Sequence, residues 1–231
     1  MAEMTALPLF GVALTLVVFV LAQVFYRRTG WIWCNPVLVS IVIIILLLLV
    51  AGIPYRDYAR GGDLIVFLLG PAVVALAVPL YQRRRELWRR KAAILLGILA
   101  GSLASIVSAC GIAWLLGGSA DVIVSLGPKS VTAPIAIGIS ERIGGIPALT
   151  APMVVLTGCL GALCGAEFCR LVGIRTPLAM GLAVGTAAHG IGTARMLEID
   201  RMAGSVAGLA IGLNGLATTF LLPLLMMLAG M

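Results

Sequence analysis

The sequence predicts an all-α protein, a polytopic transmembrane helical bundle of about seven or eight segments, some of them broken or re-entrant. The chain has 231 residues, of which 61% are hydrophobic and only 11% are charged, and its mean hydropathy is +1.16. Soluble domains carry about 25% charged residues, so this chain lacks the polar surface that water requires. Apolar runs of about 20 residues recur along it and are long enough to cross a hydrocarbon layer of about 30 Å. We therefore expect a single integral membrane domain over residues 1–231.

Eight apolar segments follow one another along the chain. They cover residues 6–26, 33–53, 62–81, 92–117, 121–140, 146–172, 178–198 and 203–230. The first, second and fourth are uninterrupted and predict ordinary spanning helices, because hydrocarbon offers no partner to a free backbone group. The first run is also longer than the apolar core of a signal peptide, which predicts a retained first helix.

Glycine and proline interrupt the third, fifth and seventh segments. The interruptions are Gly70-Pro71 and Pro79 in the third, Gly127-Pro128 and Pro134 in the fifth, and Gly181, Gly185, Gly190 and Gly192 in the seventh. Broken helices at membrane depth persist only inside protein or beside a watery cavity, and in secondary transporters they mark the substrate site. For the third segment a simple proline kink is an equal alternative. Two such segments would also form an inverted repeat, although internal sequence likeness supports this only weakly.

Basic residues give an orientation for the first half of the chain. Arg83, Arg84, Arg85, Arg89, Arg90 and Lys91 lie in one loop after the third segment. Such a cluster favours the cytoplasmic side and contact with anionic membrane lipids, which places the N-terminus outside. If the fifth segment spans, Arg170 and Arg175 fall outside, and if it is re-entrant they fall inside. The net charge of +7 does not indicate nucleic-acid binding, since the chain has no soluble basic face.

The run Pro128-Lys129-Ser130-Val131-Thr132-Ala133-Pro134 is the most informative stretch. A lysine at mid-membrane costs about 2.5–3.5 kcal/mol unless it is paired or solvated. Ser130 and Thr132 supply hydroxyls beside Lys129, and the prolines, Pro134 included, open the helix and free backbone groups. Together these groups predict a pocket for a carboxylate. The alternative is that Lys129 lies at a helix end and faces water.

A second polar run surrounds the single histidine. At four-residue spacing, His189 and Thr193 would share one helix face, whereas Gly190 and Gly192 would let a ligand approach the backbone. His189 would bind an anion or carry a proton, and Arg195 would fork onto a carboxylate. The alternatives are a satisfied interhelical hydrogen bond for His189 and a cytoplasmic anchor for Arg195.

Three further polar residues are candidates for supporting roles. Glu141 would pair with Arg142, Lys129 or Arg195, or exchange a proton during transport, with an exposed helix-end pair as the alternative. Asn214, amid apolar neighbours, would line the pocket or join helices. Glu167 is expected near Arg170, three residues further on.

No enzyme, metal site or cofactor is expected from the remaining residues. Phosphate-binding, metalloprotease and serine-hydrolase motifs are missing, and five cysteines without a CxxC pair predict buried thiols. Two sets of glycines at four-residue spacing predict closely packed helices: Gly161 with Gly165, and Gly204 with Gly208 and Gly212.

At these residues the chain resembles the LrgB/CidB family of bacterial membrane proteins. The likeness covers about residues 62–225 and rests on the stretches Gly70–Ala72, Ala75–Tyr81, Pro128–Ala136, Ile143–Ala151 and His189–Arg195. The resemblance implies a multi-pass protein of the bacterial plasma (inner) membrane, acting with a small LrgA-type membrane partner and forming homo-oligomers.

The resemblance implies two different functions. The family was first described as antiholin-like, modulating murein hydrolase activity and cell lysis. A plastid relative resembles a glycolate/glycerate carrier, and bacterial relatives are linked to pyruvate uptake. With the cationic pocket, this makes a secondary transporter of small monocarboxylates, working by alternating access with H⁺ or Na⁺ coupling, the leading hypothesis. An antiholin-like regulator is the second, and a nucleoside carrier is the third.

Overall fold

The computed structural model describes residues 8–29, 36–82 and 84–230, and within these ranges every regular element is an α-helix. The helices are α1 (Pro8–Thr29), α2 (Pro36–Ala51), α3 (Tyr55–Gln82), α4 (Arg84–Arg89), α5 (Lys91–Leu115), α6 (Ala120–Leu126), α7 (Ala133–Arg142), α8 (Pro147–Leu171), α9 (Pro177–Ile199) and α10 (Arg201–Leu228). Four of them, namely α1, α5, α8 and α10, are long and apolar enough to cross a membrane, and α2 is a shorter apolar helix. Cys34 and Arg83 lie outside the described residues.

The chain divides into two compact units, one up to Ala75 and one from Leu76. In the first unit, Val18 of α1 packs against Ile44 and Leu48 of α2. Gly11 lets α1 approach α3 closely, because a Cβ there would lie 2.4 Å from the carbonyl oxygen of Tyr58. For the third segment the sequence left a break and a simple proline kink as alternatives, and the break is wrong, because α3 is one continuous helix through Gly70-Pro71 and Pro79.

The second unit is built on three long helices that alternate in direction. Helices α5 and α10 are parallel, since Ile98 packs against Ala210, and Cys110, further along α5, packs in one cluster with Leu222. Helix α8 runs the opposite way, because its last turn, at Cys169, packs against the start of α10 at Ala203. We call the end of the unit where α5 begins the basic end.

The fifth segment forms a re-entrant hairpin, which we call hairpin 1 (residues 120–142). Fifteen residues separate Ser125 of α6 from Ser140 of α7, and a straight helix would hold them about 22 Å apart. Instead Thr150 Oγ1 lies 3.0 Å from the carbonyl oxygen of Ser125 and 2.8 Å from Ser140 Oγ. The chain therefore turns back between α6 and α7 and leaves at the end by which it entered. A hairpin of this kind favours the re-entrant alternative over a fifth segment that crosses the membrane.

Helix α9 also reverses, and we call it hairpin 2 (residues 177–199). Its backbone leaves helical geometry at Ala188 and His189. A straight helix of this length would separate Pro177 from Ile199 by about 33 Å, yet both line one cavity of about 410 Å³ with Arg170 and Arg175. Hairpin 2 therefore enters and leaves at the basic end, opposite to hairpin 1.

Glycines allow hairpin 2 to lie against its neighbours. A Cβ on Gly185 would lie 2.5 Å from the Cα of Ala207 on α10, and one on Gly161 of α8 would lie 2.1 Å from the Cβ of Ala188. The predicted close packing at Gly161 and Gly204 is thus present, whereas Gly212 faces open space with nothing within 4 Å.

Candidate functional site

Residues 127–132, which we call tip 1, form the turn of hairpin 1. Pro128 cannot continue the ladder of helical hydrogen bonds, and the chain instead makes tight turns from Lys129 N to Leu126 O and from Val131 N to Pro128 O, each 3.2 Å. The turns place the half-buried Lys129 against α5. Its Nζ lies 3.4 Å from Ser105 Oγ and 3.3 Å from Ser130 Oγ.

The surroundings of the Lys129 ammonium group are hydroxyls without a countercharge. Ser105 and Ser130 also hydrogen-bond each other, at 2.7 Å between their Oγ atoms. Among the residues whose side chains are described, the ion pairs are Arg170 with Glu167 and Arg195 with Glu198, and no carboxylate lies within 4.0 Å of Lys129. A cation at this depth is stabilised by a nearby negative charge, so the arrangement favours an anion.

Ala188 and His189, which we call tip 2, form the turn of hairpin 2. The backbone of His189 has φ 41° and ψ −136°, and residues other than glycine rarely adopt such a positive φ. The imidazole reaches α8, where Nε2 lies 2.8 Å from the carbonyl oxygen of Val154. A carbonyl only accepts hydrogen bonds, so Nε2 carries the proton in this contact. The ring fits because a Cβ on Gly158 would lie 2.5 Å from its Cε1.

The other predicted residues of the seventh segment surround tip 2. Thr193 is buried and its Oγ1 donates to the carbonyl oxygen of His189 at 2.9 Å. Gly192 is needed for the close return of the chain, since a Cβ there would lie 2.6 Å from that of Ala188. Gly190 is exposed and has nothing within 4 Å of its Cβ position, which leaves its backbone open to a ligand.

Asn214 of α10 links the two tips. Its Nδ2 donates to the carbonyl oxygen of Ser130 in tip 1 at 3.1 Å and to that of Thr186, just before tip 2, at 2.9 Å. Lys129, Ser130, Asn214 and His189 thus belong to one region at the middle of the second unit.

Four predicted residues lie at the margin of this region or away from it. Thr132 caps the start of α7 without a side-chain hydrogen bond to the helix, and Pro134 in the first turn of α7 is exposed. Arg195 lies six residues beyond tip 2, about 9 Å along the return arm, and pairs with Glu198 at 2.9 Å. Glu141 is exposed near the end of α7, and no partner within ion-pair distance is found for it among the described side chains.

The structure adds three hydroxyl residues that the sequence analysis did not single out. Ser102 and Ser105 of α5 contact Asn214 and Lys129, and Thr186 presents its carbonyl to Asn214. Ser105 and Thr186 also line a groove of about 350 Å³ between α5 and the entering arm of hairpin 2, with Gly97, Gly101, Ala179, Leu182, Ala183 and Ala187. The groove joins apolar walls to hydroxyls beside the lysine. The sequence offered one sign of the two serines, since Ser102 and Ser105 are three residues apart and therefore lie on one face of α5.

The fold and this region define a class, that of multi-pass membrane proteins with discontinuous helices and polar residues held at their breaks. The chain belongs to the LrgB-like family, whose model matches residues 15–228. It is 37% identical over 213 residues to the "Uncharacterized protein YwbG" of Bacillus subtilis, covering 92% of this chain and 95% of that one. It is 32% identical over 217 residues to the "Holin-like protein CidB" of Staphylococcus epidermidis, covering 94% and 95%. No solved structure matches the chain at a significant level.

Proposed function

We propose that this protein is a secondary transporter of small monocarboxylates, and that Lys129 binds the carboxylate. The observation that carries the proposal is a half-buried ammonium group whose hydrogen-bond partners are hydroxyls and which has no carboxylate within 4.0 Å among the described side chains. Burying a charge without a partner is costly, and a substrate anion would supply the missing countercharge. Ser105 and Ser130 hydrogen-bond each other, so one of the two hydroxyls keeps its proton free and would donate it to the same carboxylate, which strengthens the recognition of an anion.

The groove beside Lys129 supports a short substrate with an apolar tail. Ser105 on the α5 side and Thr186 on the hairpin 2 side supply its hydroxyls, and Leu182 and Ala183 are among its apolar lining residues. A carboxylate directed at Lys129 would leave a methyl or hydroxymethyl group in this groove. Pyruvate, glycolate and glycerate have this character, whereas a nucleoside lacks the anion and finds no aromatic side chain among the lining residues.

Alternating access is supported by the opposed directions of the two hairpins. Hairpin 1 follows the C-terminal end of α5, and hairpin 2 follows the C-terminal end of α8. Because α5 and α8 run in opposite directions, the α5–hairpin 1 pair is inverted relative to the α8–hairpin 2 pair. We propose that they form an inverted repeat, an architecture in which secondary transporters place the substrate near the membrane midplane. Each tip then contributes one basic residue, Lys129 or His189.

A coupling ion and a partner complete the proposal. His189 would carry a coupled proton, while Glu141 near the foot of hairpin 1 would exchange one with the solvent. Na⁺ is the alternative ion. An LrgA-type partner, a homo-oligomer and anionic lipids of the plasma membrane are the further components that we expect. Uptake driven by a pH gradient alone, or by a Na⁺ gradient alone, separates the two ions.

An antiholin-like regulator of murein hydrolase activity and lysis is the second candidate. The printed name of the Staphylococcus relative, "Holin-like protein CidB", favours it over transport. Such a protein would assemble into large oligomers and control permeability. Discontinuous helices and a lysine at their turn are features that it does not require, and they favour the carrier.

Uptake of radiolabelled pyruvate and glycolate into proteoliposomes tests the carrier. We expect saturable uptake that Lys129→Met abolishes, because the variant removes the cation and keeps a side chain of similar length. Lys91→Met is the matched control, since Lys91 is the only other lysine and is exposed at the start of α5. Uptake that survives Lys129→Met would contradict the proposed site.

Release of trapped carboxyfluorescein from the same vesicles tests the regulator. A holin-like assembly would release the dye, and pyruvate would not inhibit the release. The carrier hypothesis expects vesicles to retain the dye while they accumulate pyruvate.

A further inference from the structure

Asn214 has the most completely satisfied polar side chain of the central region. It is 1% exposed, on α10 between α5 and the two hairpins. Its Oδ1 contacts Ser102 Oγ, whose single proton is shared with the carbonyl oxygen of Ile98, and lies 3.5 Å from Thr218 Oγ1. Its Nδ2 donates to the carbonyl oxygens of Ser130 and Thr186. Both Nδ2 partners are carbonyls, which only accept, so the orientation of the amide follows from its contacts.

This set of contacts leaves neither donor hydrogen of the amide for a ligand. A side-chain amide has two donor hydrogens, and both are occupied, each by a backbone carbonyl oxygen. The sequence analysis placed Asn214 among the residues that line the substrate pocket. In this conformation its polar atoms instead contact the protein, and its two donors bind tip 1 at Ser130 and the arm of hairpin 2 at Thr186, two residues before tip 2.

We propose that Asn214 is a positioning residue that couples the two tips, so that neither tip moves without releasing the other. Movement of tip 1 withdraws the Ser130 carbonyl and leaves one Nδ2 hydrogen without a partner in a buried site. An unsatisfied buried donor is costly, and the amide then turns or shifts, which disturbs its bond to Thr186. The consequence for alternating access rests on the proposed function, whereas the coupling itself is a property of the fold.

Hydrogen–deuterium exchange of the protein in lipid nanodiscs, without substrate, measures this coupling. Asn214→Asp keeps the shape of the side chain, and its ionised carboxylate only accepts hydrogen bonds, so it offers no donor to the two carbonyl oxygens. We expect exchange to rise about tenfold, the loss expected for one buried hydrogen bond, in peptides covering both residues 127–132 and residues 186–190. Thr218→Val is the matched control, because it removes a contact to Oδ1 and leaves both donors, and we expect the tips to exchange as in the unmodified protein.

A double-mutant cycle separates coupling through Asn214 from other routes. His189→Ala breaks the contact of tip 2 with Val154, and Val154 packs against Val131 of tip 1. If Asn214 carries the coupling, His189→Ala raises exchange at tip 1 in the unmodified protein and adds nothing in Asn214→Asp. A rise that persists in Asn214→Asp would overturn the proposal and assign the coupling to α8. Asn214→Ser replaces Asn214→Asp if the latter does not fold.

The exchange and uptake experiments together distinguish a failure of the Asn214 coupling from a failure of the carrier hypothesis. If proteoliposomes take up no pyruvate but both tips respond to Asn214→Asp and His189→Ala adds nothing at tip 1 in that variant, the coupling stands and the transport function falls. If only one tip responds, or exchange rises equally over the whole chain, the coupling falls whatever the vesicles transport. If both hypotheses hold, Asn214→Asp loses uptake although Lys129 is intact.

Discussion

At the scale of single residues, the backbone of His189 gives an unusual prediction. Its φ of 41° favours glycine. A residue with a side chain, histidine or alanine alike, is strained at this φ by about 1–3 kcal/mol. Both substitutions lose the imidazole contact with Val154. We therefore expect His189→Gly to be more stable than His189→Ala by about 1 kcal/mol, measured by thermal unfolding in detergent with circular dichroism.

At a position with regular helical backbone, alanine is expected to be more stable than glycine, which is the opposite of the order at His189. Ala194 is exposed in the return arm of hairpin 2, and Ala194→Gly should destabilise the protein by about 0.5–1 kcal/mol. If His189→Ala is the more stable of the two His189 variants, the reversal of α9 is not a left-handed turn at His189.

Gly158 is the second residue with a decisive local role. A Cβ there would lie 2.5 Å from His189 Cε1 and 2.8 Å from Nε2, so Gly158→Ala must displace the imidazole from Val154. Overpacking of this kind costs about 1–3 kcal/mol, and we expect a corresponding fall in the midpoint of thermal unfolding.

Gly212 provides the control for this substitution. Nothing lies within 4 Å of its Cβ position, and in a helix alanine is favoured over glycine by up to about 1 kcal/mol. Gly212→Ala should therefore leave the protein as stable or make it more stable. Equal losses in Gly158→Ala and Gly212→Ala would indicate that His189 is not confined by α8.

The candidate site was only partly predictable from the residue types. The sequence identified Lys129 and His189 as candidates because placing an ionisable group in an apolar segment costs free energy. Ser102 and Ser105 were not, since a serine in an apolar helix usually hydrogen-bonds its own helix, as Ser102 Oγ also does with Ile98 O. Their additional contacts with Asn214 and Lys129 connect distant parts of the chain, and such contacts have no signature in the local sequence.

At the scale of the elements, glycine and proline indicated that helices break but not how far the chain turns. Pro152 and Pro223 lie inside the continuous helices α8 and α10, as α3 likewise continues through Pro71. Neighbouring helices satisfy the backbone groups that a proline frees, so a proline alone does not fix a break. The reversals follow from tertiary contacts, such as those of Thr150 with both arms of hairpin 1.

The reversal of α9 is measurable as a distance between spin labels. We expect labels at Arg175→Cys and Glu198→Cys, both exposed positions, to lie within about 20 Å of each other, because hairpin 2 returns to the end by which it entered. A straight helix over the same 23 residues would separate the backbones by about 35 Å. Double electron–electron resonance, with Cys34 and Cys164 replaced by serine, distinguishes the two values.

Helix α8 supplies a control pair with the same spacing in the sequence. Ala148→Cys and Leu171→Cys are exposed positions on one continuous helix, 23 residues apart, and should give about 35 Å. A distance near that value for the α9 pair would contradict the hairpin.

At the scale of the whole second unit, the two hairpins determine which charges share an end. Two groups of basic residues lie at the basic end: Arg84, Arg85, Arg89, Arg90 and Lys91 before and at the start of α5, and Arg170, Arg175 and Arg201 around the feet of hairpin 2. The opposite end holds Asp121, Glu141 and Arg142. Because cytoplasmic loops are enriched in lysine and arginine, the basic end is expected in the cytoplasm. Re-entry of the fifth segment is what gathers these arginines on one side.

Labelling of single cysteines in intact cells tests this orientation. With Cys34 and Cys164 replaced by serine, a membrane-impermeant maleimide should label Glu141→Cys directly, but Arg175→Cys only after the membrane is permeabilised. A fifth segment that crossed the membrane would exchange the two results, since it would move Glu141 inside and Arg175 outside. The experiment therefore measures the topology that both proposals need, because hairpins that enter from opposite faces are the condition for exposing Lys129 to one side at a time.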